Sequence, residues 1–329
     1  MRKYRKLLFI LCILGIIALV YIHSRTPFWL EEGGDWSVGH GLSSESLPTV
    51  VPNPSKLITP KDLQKTDKNS KFLADPFFIK EKDSFYIFIE HRHFEPFKAN
   101  LAVLGSADGE HYQFKGTVLD EPFHLSYPQV FKHKGKFYMV PESAAAEKIL
   151  LYSTDKFPYG WKVIDTLFAG GRLKDPSIYV SDSLNIMVAS DDNLNMFLFK
   201  ADSLRGQWKK VKRILRGSEA RAGGRIFENK GDLILPVQDC ARGYGSALSL
   251  YKFDFSGKSP ELVKLTDDYL KAQPHIPELA YGMHQFDIQK TDKGYYYVYD
   301  GNDVLKGRAK QSVYYALKLT FNDLLNVFR

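Results

Sequence analysis

Two Asp-Pro pairs, Asp75-Pro76 and Asp175-Pro176, each stand directly before a short apolar run. A lone Asp-Pro starts a turn, because the carboxylate accepts backbone N–H bonds and proline presets φ. Two such pairs at one phase of a repeat would instead set two carboxylates on one cleft. Paired carboxylates serve proton transfer at an acetal centre, one as base or nucleophile and another as acid or orienting group. Other polar residues recur at comparable places: Tyr127 and Gln129 in "SYPQVF", Arg221 and Arg225 in "ARAGGRIF", and His284 in "GMHQF".

The elements that must position these residues are visible as a repeat. "FLADPFFIKEKDSFYIFIE", "SYPQVFKHKGKFYMVPES", "KDPSIYVSDSLNIMVAS", "AGGRIFENKGDLILPVQD" and "GMHQFDIQKTDKGYYYVYD" share one plan: a turn residue or Pro, an apolar strand, a polar turn and a second strand. Aligning Pro76, Pro128, Pro176, Gly224 and His284 gives steps of 52, 48, 48 and 60 residues. Asp108, Asp155 and Asp202 recur at steps of 47 residues, each between a third and a fourth strand. Four strands in each of five repeats make an all-β fold, a five-bladed β-propeller. A β-sandwich has as many strands but no fixed period. The fifth repeat offers "QSVYYALKLTF" as a third strand and then lacks a fourth, which "DWSVGHG" (35–41) supplies from the N-terminal side, closing the ring. Residues 42–71 form a linking loop. The blades start near 75, 127, 175, 223 and 283, within a propeller spanning 35–329.

In a propeller the first strands surround the axis and their heads converge on one funnel, the default ligand site. Asp75, Tyr127, Asp175, the 221–225 stretch and His284 head these strands. Arg221 and Arg225 suit an anionic sugar, since a guanidinium binds carboxylate or phosphate through two bonds; salt bridges to Glu219 or Asp239 are the competing reading. Second strands end in Glu90, Glu142, Asp239 and Asp300 near the same face, as ligand contacts, supporting partners or turn residues. Glu142 joins the candidate binding residues. "PVQDCARGYG" puts Gln238, Asp239, Arg242 and Tyr244 on one loop suited to sugar hydroxyls. His91 and His93 fall on one face of an extended segment, the spacing of a metal pair or of a solvated loop.

"ADPFF" with "KDPSI" resembles the five-bladed furanosidase superfamily, which includes glycoside hydrolase families 43 and 32. Across nearly all of residues 35–320, "DWSVGHG", "NPSKLITPKDL", "FLADPFF", "YPQVF", "ARAGGRIF", "LPVQDCARGYGSALSLYKF" and "GMHQF" are similar, in order, to the N-terminal propeller of the glucosamine inositolphosphorylceramide transferase family. That domain also occurs alone in bacteria. The resemblance to the hydrolases implies catalytic roles for Asp75 in the first blade and Asp175 in the third. Their fourth-blade acid falls at Ala222 here, and Glu219, three residues upstream, is the candidate proton donor. His284 could face the axial channel, where some furanosidase relatives hold calcium, or be a hydrogen-bonded core histidine. No metal ligand set and no cofactor is assigned. In the plant members a glycosyltransferase domain follows, which implies such an enzyme as a partner.

Charge and hydropathy bound the setting. The chain carries 45 Lys and Arg against 38 Asp and Glu, a formal charge of +7. Arg2, Lys3, Arg5, Lys6 and Arg25 supply five of those cations in an acid-free N-terminus, leaving 40 against 38. No basic field remains for nucleic acid. The five flank an uncharged run over 7–24, about the minimum length for a spanning helix. Basic residues before it keep that end in the cytoplasm. Residues 1–25 are therefore read as a cytoplasmic tip and uncleaved signal anchor, with a cleaved signal as the alternative, and 26–34 as a linker. Cys12 and Cys240 are the two cysteines, so no disulfide staples the exported domain. The combined expectation is a single-pass, membrane-anchored, extracytoplasmic protein acting on a glycan or glycolipid, glycosidase-like or transglycosylating. The alternative is a glycan-binding module, or an accessory subunit of a glycosyltransferase in surface polysaccharide or glycolipid assembly. If 7–24 is retained as the anchor, protease added outside sealed right-side-out vesicles removes the propeller and leaves a short membrane-bound fragment. Full protection reverses the orientation, and a mature chain beginning beyond residue 24 shows cleavage.

Overall fold

The computed structural model describes residues 2–95, 98–310 and 312–327. Helix α1 (Arg2–Arg25) precedes five antiparallel sheets, each one blade of a propeller. Blade 1 comprises Ser70–Glu81, Ser84–His93, Ala99–Ser106 and Gln113–Leu119. Blade 2 runs from Ser126–His133 to Lys162–Ala169, and blade 3 from Lys174–Val180 to Lys209–Arg216. In blade 4 the first strand is split into Arg221–Ala222 and Phe227–Asn229, both paired to Asp232–Asp239. Apolar side chains of neighbouring blades interlock around the ring, with Phe77, Phe88, Val103, Tyr127, Met139, Val188, Leu198 and Val237 in one continuous core. Alternation along each strand thus buries both faces of a blade rather than one. The turn after the third strand uses its aspartate as the sequence suggests: Asp108 Oδ1 accepts the N–H groups of Glu110 and His111, each at 2.8 Å.

Blade 5 differs from the sequence expectation in its outer strands. Phe286–Thr291 and Gly294–Lys310 form its inner hairpin, and Trp29–Ser43 pairs directly with the latter as the third strand. Leu57–Ile58 is the fourth. The segment "DWSVGHG" therefore joins the chain ends one place further in than expected. Its glycines allow this: a Cβ on Gly39 would lie 2.3 Å from Tyr299 Cζ, and one on Gly41 would lie 2.3 Å from the Tyr297 hydroxyl. "SVYYALKLTF" is not a strand. It opens helix α3 (Val313–Val327), whose Ala316, Leu319 and Thr320 are buried at the three-to-four spacing of a helix face. Gln311, also assigned to that strand, lies outside the described residues. Short helix α2 (Pro60–Leu63) sits in the expected linking loop.

Register also moves the phase of the fifth repeat. Phe78 pairs with Ile87, Val130 with Met139, Ile178 with Met187, and Ile288 with Tyr297. The equivalent of Pro76 in blade 5 is therefore Phe286 rather than His284, and the residue equivalent to Asp75 is Gln285.

The first strands expose backbone groups on the axial edge that no strand can pair, and side chains satisfy them. Asp287 Oδ2 accepts the N–H of Phe78 at 2.7 Å, and the amide of Gln129 bridges the N–H and C=O of Ile178 at 2.8 and 2.7 Å. Ser177 Oγ donates to Gly224 O and accepts from Ile226 N, and Tyr127 OH both donates to and accepts from Gly224. Arg225 donates to Asp287 and to the carbonyl of Val130. Gln129, Tyr127 and Arg225, expected as ligand contacts, are consumed as clamps between blades. Breaking one partner of a buried ion pair costs about 3–5 kcal/mol. Asp287→Ala should lower stability by that much in urea titrations, since it removes the counter-charge of Arg225 and leaves Phe78 N–H unpaired; a loss under about 0.5 kcal/mol would dismiss the clamp.

Candidate active site

Three strand heads share an unusual backbone. Asp75, Tyr127 and Asp175 have φ of 50, 51 and 48°, the left-handed region, and each precedes a proline. Every one lies in a register shift of its hairpin, between Ala74 and Phe77, Ser126 and Gln129, and Lys174 and Ser177. Proline fits because a bulge leaves a residue without a ladder partner. Non-glycine residues held at such φ cost about 1–3 kcal/mol each and persist where their surroundings over-determine them. The blade-4 head is Gly223, where a Cβ would sit 2.3 Å from Leu248 Cδ1 and 2.5 Å from His284 O.

Above these heads lies a cavity of about 360 Å³ lined by Trp36, Phe72, Asp75, Glu90, Arg92, His124, Glu142, Arg221, Tyr244 and His284, among others. Asp75 is buried; its N–H donates to Asp300 Oδ2 at 2.9 Å, and its Oδ2 accepts from Tyr127 N–H at 3.1 Å. His284 Nε2 stands 3.8 Å from Asp75 Oδ1, while His284 Nδ1 bonds Asp300 Oδ1 at 2.9 Å. The Trp36 ring stacks on His284 at 3.9 Å between centroids, and Tyr244 OH reaches His284 Nε2 at 3.3 Å. Asp175, fully buried, accepts from Arg221 Nε at 2.6 Å and from Gln238 Nε2 at 3.2 Å. Its own N–H donates to Glu142 Oε2 at 3.3 Å. Arg221 lies over the Tyr244 ring at 5.3 Å.

So many buried acids cannot all ionise, and their surroundings sort them. Burial, then the nearby carboxylates of Asp175 and Asp300, outweigh His284 and push Asp75 up to about 7. Burial, then Asp175, holds Glu142 well above the carboxylate range; burial, then Asp75 and Glu142, does the same to Glu90. Asp175 goes the other way: burial opposes its charge, yet the Arg221 guanidinium and its hydrogen bond hold it below the ordinary value. Burial likewise disfavours charge on His284, but Asp300 and Asp75 raise it. These surroundings favour the charged forms of Asp175 and Arg221 and the protonated form of Glu142, with Asp75 raised to about 7. Separated protonation states among neighbouring carboxyls are what acid–base chemistry requires.

Of the residues expected from sequence, Asp75, Glu142, Arg221, Tyr244 and His284 line the cavity; Asp175 joins them through its hydrogen bond to Arg221, and Gln238 through Asp175. Glu219 does not line it. Its oxygens accept the hydroxyls of Ser249 and Tyr251, each at 2.6 Å, and pair with Lys264 at 2.5 Å on the outer strands of blade 4. Asp239 caps its own turn through Ala241 N–H. Gln129 and Arg225 border a larger cavity of about 600 Å³ at the opposite mouth, where inter-blade bonds already occupy both. His91 and His93 do meet: His93 Nε2 lies 2.7 Å from Asp67 Oδ2, and His91 Nε2 lies 2.8 Å from Ser70 Oγ. Asp67, His91 and His93 could together hold a metal ion, as could Asp75, His284 and Asp300. Trp36, Arg92 and His124 are wall residues that sequence reasoning did not place at the site, whereas Glu90 was named there only as one of several acids near the same face. The signal for Glu90 was its place at the end of a second strand, matching Glu142.

Residues 19–302 match the family described as "Glucosamine inositolphosphorylceramide transferase 1, N-terminal". The chain belongs to this family. It is 32% identical over 263 residues to "Glucosamine inositolphosphorylceramide transferase 1" of Oryza sativa subsp. japonica, covering 72% of this chain and 34% of that protein. For the Arabidopsis thaliana protein of the same name the identity is 29% over 309 residues, covering 84% of this chain and 40% of the relative. The chain thus spans only about a third to two-fifths of these relatives. Among solved structures, a glycosyl hydrolase from Bacteroides ovatus is similar at TM-score 0.55 and 13% identity, over 83% of this chain and 96% of that one. A putative glycosidase from Bacteroides thetaiotaomicron is similar at TM-score 0.56 and 12% identity, over 79% and 95%. These likenesses establish the shared propeller fold.

A raised folded-state pKa at Asp75 makes the protonated form the stabilising one. Its contribution is complete below about pH 4 and is lost as pH rises through about 7. Asp75→Asn keeps the Tyr127 hydrogen bond without the titration. The variant should therefore gain stability relative to the wild type between pH 4 and 7, read as a growing difference in urea midpoints; parallel profiles would show that Asp75 titrates normally.

Proposed function

We propose that the funnel binds a glycan or glycolipid headgroup and acts on it as a glycosidase-like or transglycosylating centre, held at the membrane by α1. The observation that carries this reading is the sorting of four carboxyls at one cavity, Asp75, Glu90, Glu142 and Asp175. Asp75 takes the base or nucleophile role. Glu142, protonated and lining the cavity, replaces Glu219 as the proton donor we favour. Asp175, fixed by Arg221 and Gln238, supplies a constant negative charge that keeps Glu142 protonated and favours developing positive charge on the sugar ring. Trp36 and Tyr244 offer aromatic faces for a pyranose or furanose. Arg221 remains available over part of its guanidinium for an anionic substituent.

A binding-only reading is supported by a different observation. Ala222 occupies the place of the hydrolases' fourth-blade acid, so that position contributes no carboxyl of its own; its carbonyl accepts from Gln238 Nε2 at 2.8 Å. In this reading the domain recognises a glycan for a separate glycosyltransferase. The two are separated by assaying the full chain in detergent micelles against a glycan and glycolipid panel. Asp75→Asn and Glu142→Gln should each lower turnover by about two to four orders of magnitude with the fold intact. Binding without turnover in the wild type, weakened by only about 1–2 kcal/mol in these variants, would transfer support to the recognition role.

A further inference from the structure

Helix α3 is built inside out for a surface helix. Ala316, Leu319 and Thr320 are buried. On the same face, Asp323 accepts from the N–H and hydroxyl of Ser218 at 2.8 and 3.0 Å, and Asn326 donates to Arg216 O. The opposite face carries Tyr314, Leu317, Phe321 and Leu324 at 75, 43, 62 and 44% exposure. Their spacing of three, four and three residues sets them in one stripe on the solvent side. An apolar stripe facing outward from a docked helix marks a surface that is covered in use.

The neighbouring helix says what covers it. Helix α1 is apolar over a span long enough to cross a bilayer, and none of that span is buried in the protein. It packs against α3, and Arg25 at its end pairs with Asp323 Oδ2 at 3.2 Å. The stripe therefore begins where the spanning helix leaves the bilayer. This junction also adjoins the funnel: Arg25 is within electrostatic reach of Asp239, and Tyr315 within reach of Arg221 and Cys240. Leu30 packs near Gly243, beside the exposed Tyr244.

We propose that α3 lies in the headgroup layer of the bilayer that α1 spans, its Tyr314–Leu324 stripe immersed, so that the funnel mouth at Arg221 and Tyr244 is turned toward the membrane surface. The inference rests on α1 being a retained anchor. Amphipathic helices bind interfaces in this way, with the apolar face sunk to the acyl boundary. Ligands then enter from the membrane side, and the opposite mouth, at the Thr291–Gly294 turn, faces water.

The test places single nitroxide labels in the full chain carrying Cys12→Ser, in vesicles of phosphatidylcholine and phosphatidylglycerol, with Cys240 left in place because it is buried. The parent without a new cysteine gives the background. Labels at Phe321→Cys and Leu317→Cys should be several-fold more accessible to oxygen than to a water-soluble nickel chelate. A label at Arg242→Cys should fall at headgroup depth, and one at Lys293→Cys should favour the nickel reagent. A label at 321 matching that at 293 overturns the proposal; one shielded from both reagents assigns the stripe to a protein partner and overturns it too. Alkaline carbonate extraction separates the underlying reading. Release of the chain defeats anchoring and interface together, whereas retention with a watery label at 321 defeats the interface alone. Leu317→Glu with Phe321→Glu, which leaves the docked face untouched, should retain the wild-type melting temperature in detergent and lose the depth difference between labels at 242 and 293.

Discussion

Five first strands stand around one axis too far apart to pair, yet too deeply buried to be hydrated. Their axial N–H and C=O groups must be satisfied by something. The chain answers with a side chain at the position after each strand's bulge: Gln129, Ser177, Arg225 and Asp287 each reach the next blade or beyond. Phe77 in blade 1 departs from this pattern and packs edge-on against Tyr127 at 4.8 Å, beneath the Arg225 guanidinium. Because every bond crosses a blade boundary, no blade is satisfied alone. Ring closure, rather than any single sheet, completes the hydrogen-bond network.

The same constraint shapes the site. Bulges at the heads of blades 1, 2 and 3 interrupt ladder pairing, which resumes on either side, and left-handed backbone at Asp75, Tyr127 and Asp175 redirects the chain there. Where side chains above the bulge would otherwise be buried without partners, they bond each other: Asp300 with Asp75 N–H and His284, Asp175 with Arg221 and Gln238. Acid concentration in a desolvated space then forces unequal protonation. The electrostatics thus follow from the architecture, and the unequal protonation of these carboxyls needs no further device.

The layers below and above the bulge have different roles. Below it, polar residues are fully used in holding blades together, so the larger cavity at that mouth offers few free groups. Above it, Glu142, Glu90 and Arg221 keep polar atoms toward open space. The two chain ends return to this upper side, Trp29–Ser43 as a strand of blade 5 and α3 against the edge of blade 3. Trp36 joins structure to site in one residue, since its strand seals the ring while its indole stacks on His284.

The sequence by itself determined the number of blades, the hairpin plan, the apolar N-terminal helix and the recurrence of Asp75 with Asp175, because each is a local pattern of period two or a repeat of about 50 residues. It also marked "DWSVGHG" as the segment that closes the ring. Tertiary structure decided which polar residues face the cavity and which face a neighbouring blade. Arg225 and Arg221 are four residues apart, yet the Gly223-Gly224 bulge sends one down to Asp287 and the other up to Asp175. Glu219 is the nearest acid to Ala222 along the chain, but strand pairing turns it to Ser249, Tyr251 and Lys264, whereas Glu142, from a different blade, arrives beside Asp175. The place of blade 5's outer strands was equally beyond local reading. Apolar residues in 313–321 fit a strand or a helix over so short a run, and it is the docking of Ala316, Leu319 and Asp323 on the propeller, with the edge of Gly294–Lys310 already taken by Trp29–Ser43, that selects the helix.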